Sequence, residues 1–272
     1  MRITTLTRSS TSNLVTIERV RLGLLGSSDN TSKDALLKEL ILTASSAIER
    51  YWGWPFGRQQ YQVELAGKNE CCIELPPSHC VSPIDPDSLS ASVDGNAATD
   101  FQLLSVLTGE VYRPLGWWAP WDLNRPLNVL VQWICGYVLP DQVSTWAATD
   151  VTVAVGGWLR PPTPDKSRFL FEVSSGGTCA APEPTWSSIT AAGQELSMGG
   201  GVTGVARVAE ELPRAVSDLA YLEVYHRFLN LPPGVSSLML GGQQTSFFAG
   251  QTDDELCVQV RNGLDRMKLV AA

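Results

Sequence analysis

The ligand-type side chains that cluster most closely along the chain are Cys71, Cys72, His79 and Cys80. Thiolates and an imidazole suit zinc, but tetrahedral sites space their ligands about two to four residues apart, and adjacent cysteines rarely turn to one ion. In strand-forming sequence such cysteines read as small buried hydrophobes, so neither a metal nor another cofactor is expected. The second histidine, His226, stands between Tyr225 and Arg227 in helix-forming sequence, where a structural role is the simpler reading. Asp85 with Asp87, and Asp253 with Asp254, lack a partner acid or base and read as a loop and a helix start. Gly199–Gly201 join no strand to a phosphate-binding helix, and no Walker-type, HExxH or GxSxG string occurs. Catalysis is therefore not expected.

The aromatic residues offer binding rather than reaction. Trp117-Trp118-Ala119-Pro120-Trp121 can anchor a protein interface, pack beneath a loop or stack on a sugar.

Periodicity indicates the elements that position these residues. Thr16 caps a short helix carrying Ile17, Val20, Leu24 and Leu25, stopped by Gly26. A longer helix runs from about Lys33 to Trp52 with Ser32 as its cap, and Trp52-Gly53-Trp54-Pro55 ends it. From Gln59 to Val138 the apolar period changes to two, and Gly, Pro, Asn and Asp separate the segments as in an antiparallel meander or sandwich. Residues 146–207 read as several short strands, and helix resumes at Leu212 behind Pro213. The polar Met1–Ser12 and the loose stretch Leu231–Thr252 are assigned no element; a last helix is expected over about Asp253–Leu269. The fold class is α+β: a helical core with antiparallel strands over 1–145 and 208–272, an inserted all-β module over 146–207, and an extended C-terminal helix.

The 272 residues carry a formal charge of −8, which disfavours bulk attraction to DNA or anionic membrane. The apolar run at Leu127–Leu139 is broken by Asn128, Gln132 and Gly136, short of the ~20 residues that span a bilayer. Six cysteines without CxxC spacing suggest reduced thiols, and the chain reads as soluble and made in a cytoplasm.

The order of these pieces resembles phage head–tail connector (adaptor) proteins. The resemblance rests on residues 14–57, from Leu14-Val15-Thr16-Ile17 through Asp34–Leu42 to Ile48-Glu49-Arg50-Tyr51-Trp52-Gly53. It continues in Leu75-Pro76-Pro77, in Val129–Tyr137 with its aromatic after glycine, and in Leu212-Pro213-Arg214-Ala215-Val216. Separately, Trp146, Gly156, Trp158, Phe169–Glu172, Gly176-Gly177-Thr178 and Glu183-Pro184-Thr185-Trp186 resemble a β module of phage structural proteins that is similar to carbohydrate-binding modules. Gly204-Val205-Ala206 stands where that module has a closing tryptophan.

The resemblance implies a bacteriophage virion protein at the head–tail junction. Such proteins form a homo-oligomeric ring, usually of twelve copies, beneath the portal. The ring joins capsid to tail or a tail-completion protein, and lets DNA pass at genome ejection without sequence-specific binding. It further implies that the segment 231–272 engages the portal, with Leu238, Leu240, Phe247, Phe248, Leu256, Val260, Leu264 and Met267 as anchors. The alternative is a carbohydrate-binding or host-recognition protein whose Trp146, Trp158 and Trp186 stack on glycan.

Overall fold

The computed structural model describes residues 1–7, 12–76, 84–106, 108–120, 127–149, 151–163, 167, 169–229, 237–240, 243–246 and 256–271. The fold is α+β, as the sequence patterns predict. It divides into two compact units, one comprising Met1–Ser9, Gly57–Val138 and Gln142–Glu211, the other Ser10–Phe56, Leu139–Asp141 and Leu212–Ala272.

The second unit holds the helices. Ile17–Leu25 (α1) starts where predicted: the Thr16 hydroxyl accepts the Arg19 N–H at 3.4 Å, and a left-handed Gly26 ends the helix. Asp34–Trp52 (α2) does not use Ser32 as a cap. Both the N–H and the hydroxyl of Ser32 turn back to the Asn30 side chain, at 3.2 and 2.6 Å, in a local turn that competes with capping. Asp34 instead pairs with Arg21 of α1, and that hydrogen bond holds its carboxyl below the usual carboxylate range. Leu37, Ile41, Ala44, Ile48 and Trp52 form the buried stripe of α2. Arg214–Phe228 (α3) follows Pro213 and buries Val216, Ala220 and Val224. Val258–Ala271 (α4) closes the unit.

The first unit carries the sheets. Arg2–Thr7 (β1), Gln59–Leu65 (β2), Glu70–Glu74 (β3), Ser90–Val93 (β4), Asn96–Ala98 (β5), Gln102–Ser105 (β6), Glu110–Trp117 (β7) and Val129–Cys135 (β8) form two sheets. Their orders are β1-β2-β8-β4-β5 and β3-β7-β6, with every pairing antiparallel. In β8 the residues Val129, Val131, Trp133 and Cys135 point inward on a strict period of two, and burial pushes the Cys135 thiol up to about 12. Val131 faces Val63 on one side and Ala91 on the other, and Trp133 stacks on Tyr61 with ring centres 5.8 Å apart. Gly136, just beyond, has φ 113°, and a Cβ there would come within 2.6 Å of the Gly57 carbonyl oxygen. Only glycine fits that crossing.

β1 is an element the sequence reading missed. Its threonines and isoleucine favour extended chain, but their pairing depends on an edge supplied some 55 residues later, as in Arg2 opposite Glu64 and Thr5 opposite Tyr61. β7 also runs past the expected Arg113 and across Pro114; its register shifts between Glu70 and Cys72, where a residue without an N–H is tolerated.

Residues 143–207 supply the remaining strands of the unit: Val143–Thr145 (β9), Thr152–Val153 (β10), Trp158–Arg160 (β11), Leu170–Ser175 (β12), Gly177–Thr178 (β13), Glu195–Ser197 (β14) and Thr203–Arg207 (β15). Five of them form a sheet in the order β14-β15-β12-β11-β9, and β10 pairs with β13. All pairs here are antiparallel except β9 with β11, which is parallel. In the helical unit, Ser237–Leu240 (β16) and Gln243–Ser246 (β17) make an antiparallel hairpin inside the stretch read as structureless.

Candidate interaction surfaces

The titratable groups resolve into structural roles first. Cys71 is exposed and Cys72 half-buried on β3, where burial and then a hydrogen bond with Glu110 push the Cys72 thiol up. His79 and Cys80 lie outside the described residues. Among the described residues no three His, Cys, Asp or Glu side chains converge as a metal set. Asp85 is 4% exposed; it pairs with Arg58 and accepts the Asp87 N–H at 3.1 Å, capping a short turn. His226 is partly buried on α3, and burial holds its imidazole below the ordinary value. Gly199–Gly201 form a tight turn in which the Val202 N–H donates to the Gly199 carbonyl at 2.9 Å.

Trp146, Trp158 and Trp186 are core residues. They are 6%, 6% and 3% exposed, so the ring faces that the carbohydrate-binding alternative would use are turned into the protein. Trp146 and Trp186 meet edge to face at 6.2 Å, and Phe171 lies 5.2 Å from Trp186. Around them pack Leu159, Phe169, Val173, Met198, Val202 and Ala206. Their polar handles are satisfied internally, with Trp146 Nε1 donating to the Met198 carbonyl at 3.2 Å and Trp186 Nε1 to Glu183 at 2.9 Å. Trp158 faces the other side of the sheet, packing with Val138 and Leu170. The sequence already held the physical cue: a small sheet must fill its interior, and these are its largest apolar side chains.

The second aromatic cluster is split. Trp117 is fully buried, its ring 6.4 Å from Phe101 and beneath the Arg113 guanidinium. Trp118, one residue on, is 54% exposed and donates Nε1–H to the Leu115 carbonyl at 2.5 Å. Two side chains fix the backbone here. Asn128 accepts the Gly67 N–H at 2.9 Å and donates to the Trp118 carbonyl at 3.0 Å, while Asn69 accepts the Ala119 N–H at 2.9 Å. Trp118 and the exposed Leu115 thus form a held apolar projection. Trp121 lies outside the described residues.

The C-terminal anchors also divide. Leu256, Val260 and Leu264 are buried at 3%, 0% and 0%, already covered within the chain, so the expectation that a partner must bury them is corrected. α4 lies close to α3, for a Cβ on Gly263 would stand 2.6 Å from Leu219 Cδ2. The buried Glu223 of α3 fixes this pair: its carboxylate accepts the Cys257 N–H at 3.0 Å ahead of α4 and the Arg227 Nε–H at 2.8 Å. Tyr51 of α2 donates to Asp265 at 2.8 Å. Met267 is half-buried. Leu238 and Leu240 belong to β16, and Phe247 and Phe248 lie outside the described residues. Sequence reasoning passed over Glu223, although a carboxylate between Ala220 and Val224 on an apolar stripe is a sign of a buried docking bond.

No protein family and no curated protein matches the chain. Among solved structures the chain is similar to one in the neck of an empty gene transfer agent particle computed with C6 symmetry. The two are 18% identical, with a TM-score of 0.36, over 51% of this chain and 72% of that one. A chain in the virion of a native gene transfer agent particle gives 17% identity and a TM-score of 0.36, over 51% of this chain and 73% of that one.

Proposed function

We propose that the chain is a virion structural protein, an adaptor that forms a closed ring beneath the portal and joins the head to the tail. The observation that carries this reading is the order of elements. The capped helix α1, the polar break, the long α2 ended at Trp52-Gly53, the strands through β8 and the helix opened by Leu212-Pro213 follow the succession that the sequence resemblance implies.

Such a protein works through surfaces. A ring requires two different patches that meet with a rotation that closes. The exposed Trp118 and Leu115 supply a rigid apolar contact toward a neighbour or tail component. The portal contact falls to the stretch around Phe247 and Phe248, because the stripe on α4 already serves the chain's own packing. The net charge of −8 per copy suits a lumen through which DNA slides without adhering.

Purified protein mixed with the portal of its own particle and viewed by negative-stain microscopy tests the reading. Twelve-fold collars are expected on the portal, and Phe247→Ser with Phe248→Ser should abolish them while leaving the helical signal unchanged. Protein that stays free of portal at every mixing ratio would sink the proposal.

A further inference from the structure

The five-stranded sheet β1-β2-β8-β4-β5 has two unequal ends. β5 is three residues long, and so short an edge gives little purchase to a foreign strand. β1 is six residues long, pairs among the described residues through one side only, and is exposed at Arg2, Ile3, Thr4, Leu6 and Thr7. It carries one charge, no proline and no lysine, so the usual protections of an edge are missing apart from the irregularity between Thr5 and Thr7.

The hairpin β16–β17 has the reverse deficiency. It stands as a two-stranded sheet that, among the described residues, pairs with no third strand. Two-stranded hairpins are marginal in water on their own and need another strand or a packed face. Its sequence, Ser-Leu-Met-Leu and Gln-Gln-Thr-Ser about Gly241-Gly242, has residues that tolerate extended pairing and no charge to resist it.

An incomplete hairpin and an unguarded edge in one chain complement each other, and in this chain they remain in separate sheets. We infer that the hairpin of one copy adds to the β1 edge of the next copy by main-chain hydrogen bonds. The four-residue strands of the hairpin permit about four such bonds along β1. Donor and acceptor are different surfaces, so the contact runs head to tail and propagates, as a ring requires. This deepens the adaptor reading and rests on it for closure of the ring. It also assigns the strand bearing Leu238 and Leu240 to a neighbouring copy, leaving Phe247 and Phe248 for the portal.

Two variants of the full chain test it: one lacking residues 2–7, the other with residues 237–246 replaced by ten Gly/Ser residues. In analytical ultracentrifugation the parent chain should self-associate and each variant alone should sediment as a monomer. Mixed, they should give a one-to-one heterodimer, since each retains the half the other lacks. A parent chain that stays monomeric, a variant that associates like the parent, or a mixture without heterodimer would each overturn the inference. Ile3→Pro and Thr4→Pro separate association from folding. Successive residues send their N–H to opposite sides, so one of the two should weaken association at least about tenfold with an unchanged melting curve. If both leave association intact, the edge is not used. Collars formed on portal by both deletion variants would remove this inference and leave the adaptor reading standing; heterodimers without any portal collar would do the opposite.

Discussion

The sheet built from residues 143–207 and the helices of the second unit solve packing in different ways. The sheet closes on aromatic bulk: Trp186 meets both Trp146 and Phe171, and the indole N–H groups of Trp146 and Trp186 are satisfied by the Met198 carbonyl and by Glu183. The helices bury mainly aliphatic side chains, with Trp52 at the end of α2 the aromatic exception, and rely on polar groups placed inside, such as the Ser45 hydroxyl accepting the Leu14 N–H at 3.0 Å and the Glu223 carboxylate shared by Arg227 and Cys257. Aromatic bulk is tolerant of direction but not of lost volume, whereas a buried carboxylate is demanding of direction and fixes one docking geometry. The two regions should therefore fail differently when challenged.

The largest effect is expected for Trp186→Ala, which removes the ring touching both Trp146 and Phe171. A loss of about 3–5 kcal/mol should appear in denaturant melts as early unfolding of the sheet, with the helices unaffected. A fall below 1 kcal/mol would mean that the ring is not the centre of this core. Next comes Glu223→Ala, which leaves the Cys257 N–H and the Arg227 guanidinium without their buried acceptor, at a cost of about 3 kcal/mol. Glu223→Gln keeps one acceptor and should recover part of it. Amide hydrogen exchange would check the pair: α4 should lose protection before α2, and simultaneous loss across the unit would show that the carboxylate does not act locally.

The smallest effect concerns pH. Burial depresses the His226 imidazole in the folded chain, so its contribution is present above the ordinary value of about 6.5 and is lost as pH falls through the depressed one. Glu223 opposes this shift and Arg227 reinforces it. His226→Gln should flatten the decline in melting temperature between about pH 7 and pH 5 without changing stability at neutral pH by much. An identical slope in parent and variant would assign the acid sensitivity to other groups.

Legibility followed locality. α1 could be read from Thr16 and Gly26 because its cap and its stop lie within the segment itself. β8 could be read because its alternation is complete from Val129 to Cys135. β1 could not, since Arg-Ile-Thr-Thr-Leu-Thr becomes a strand only through β2. The hairpin was hidden for the same reason, in a stretch whose Gly, Ser and Gln carry no period. The tryptophans show a different limit. Their presence at 146, 158 and 186 was plain, but which way each faces is decided by the sheet's interior, and that exists only after pairing. The aromatic pair Trp117 and Trp118 is the sharpest case, with adjacent residues on opposite sides of a strand end and opposite exposures.

Arg58 links the two halves of the first unit. Its guanidinium pairs with Asp85 beside the sheet β1-β2-β8-β4-β5 and lies 5.3 Å from the centre of the Trp158 ring in the sheet β14-β15-β12-β11-β9. A chimera that grafted a foreign module at this point, or trimmed it to a short linker, would strip the aromatic roof from a charge that is itself only slightly accessible. A replacement for residues 143–207 would therefore have to bring a flat apolar ring to the same place over Arg58.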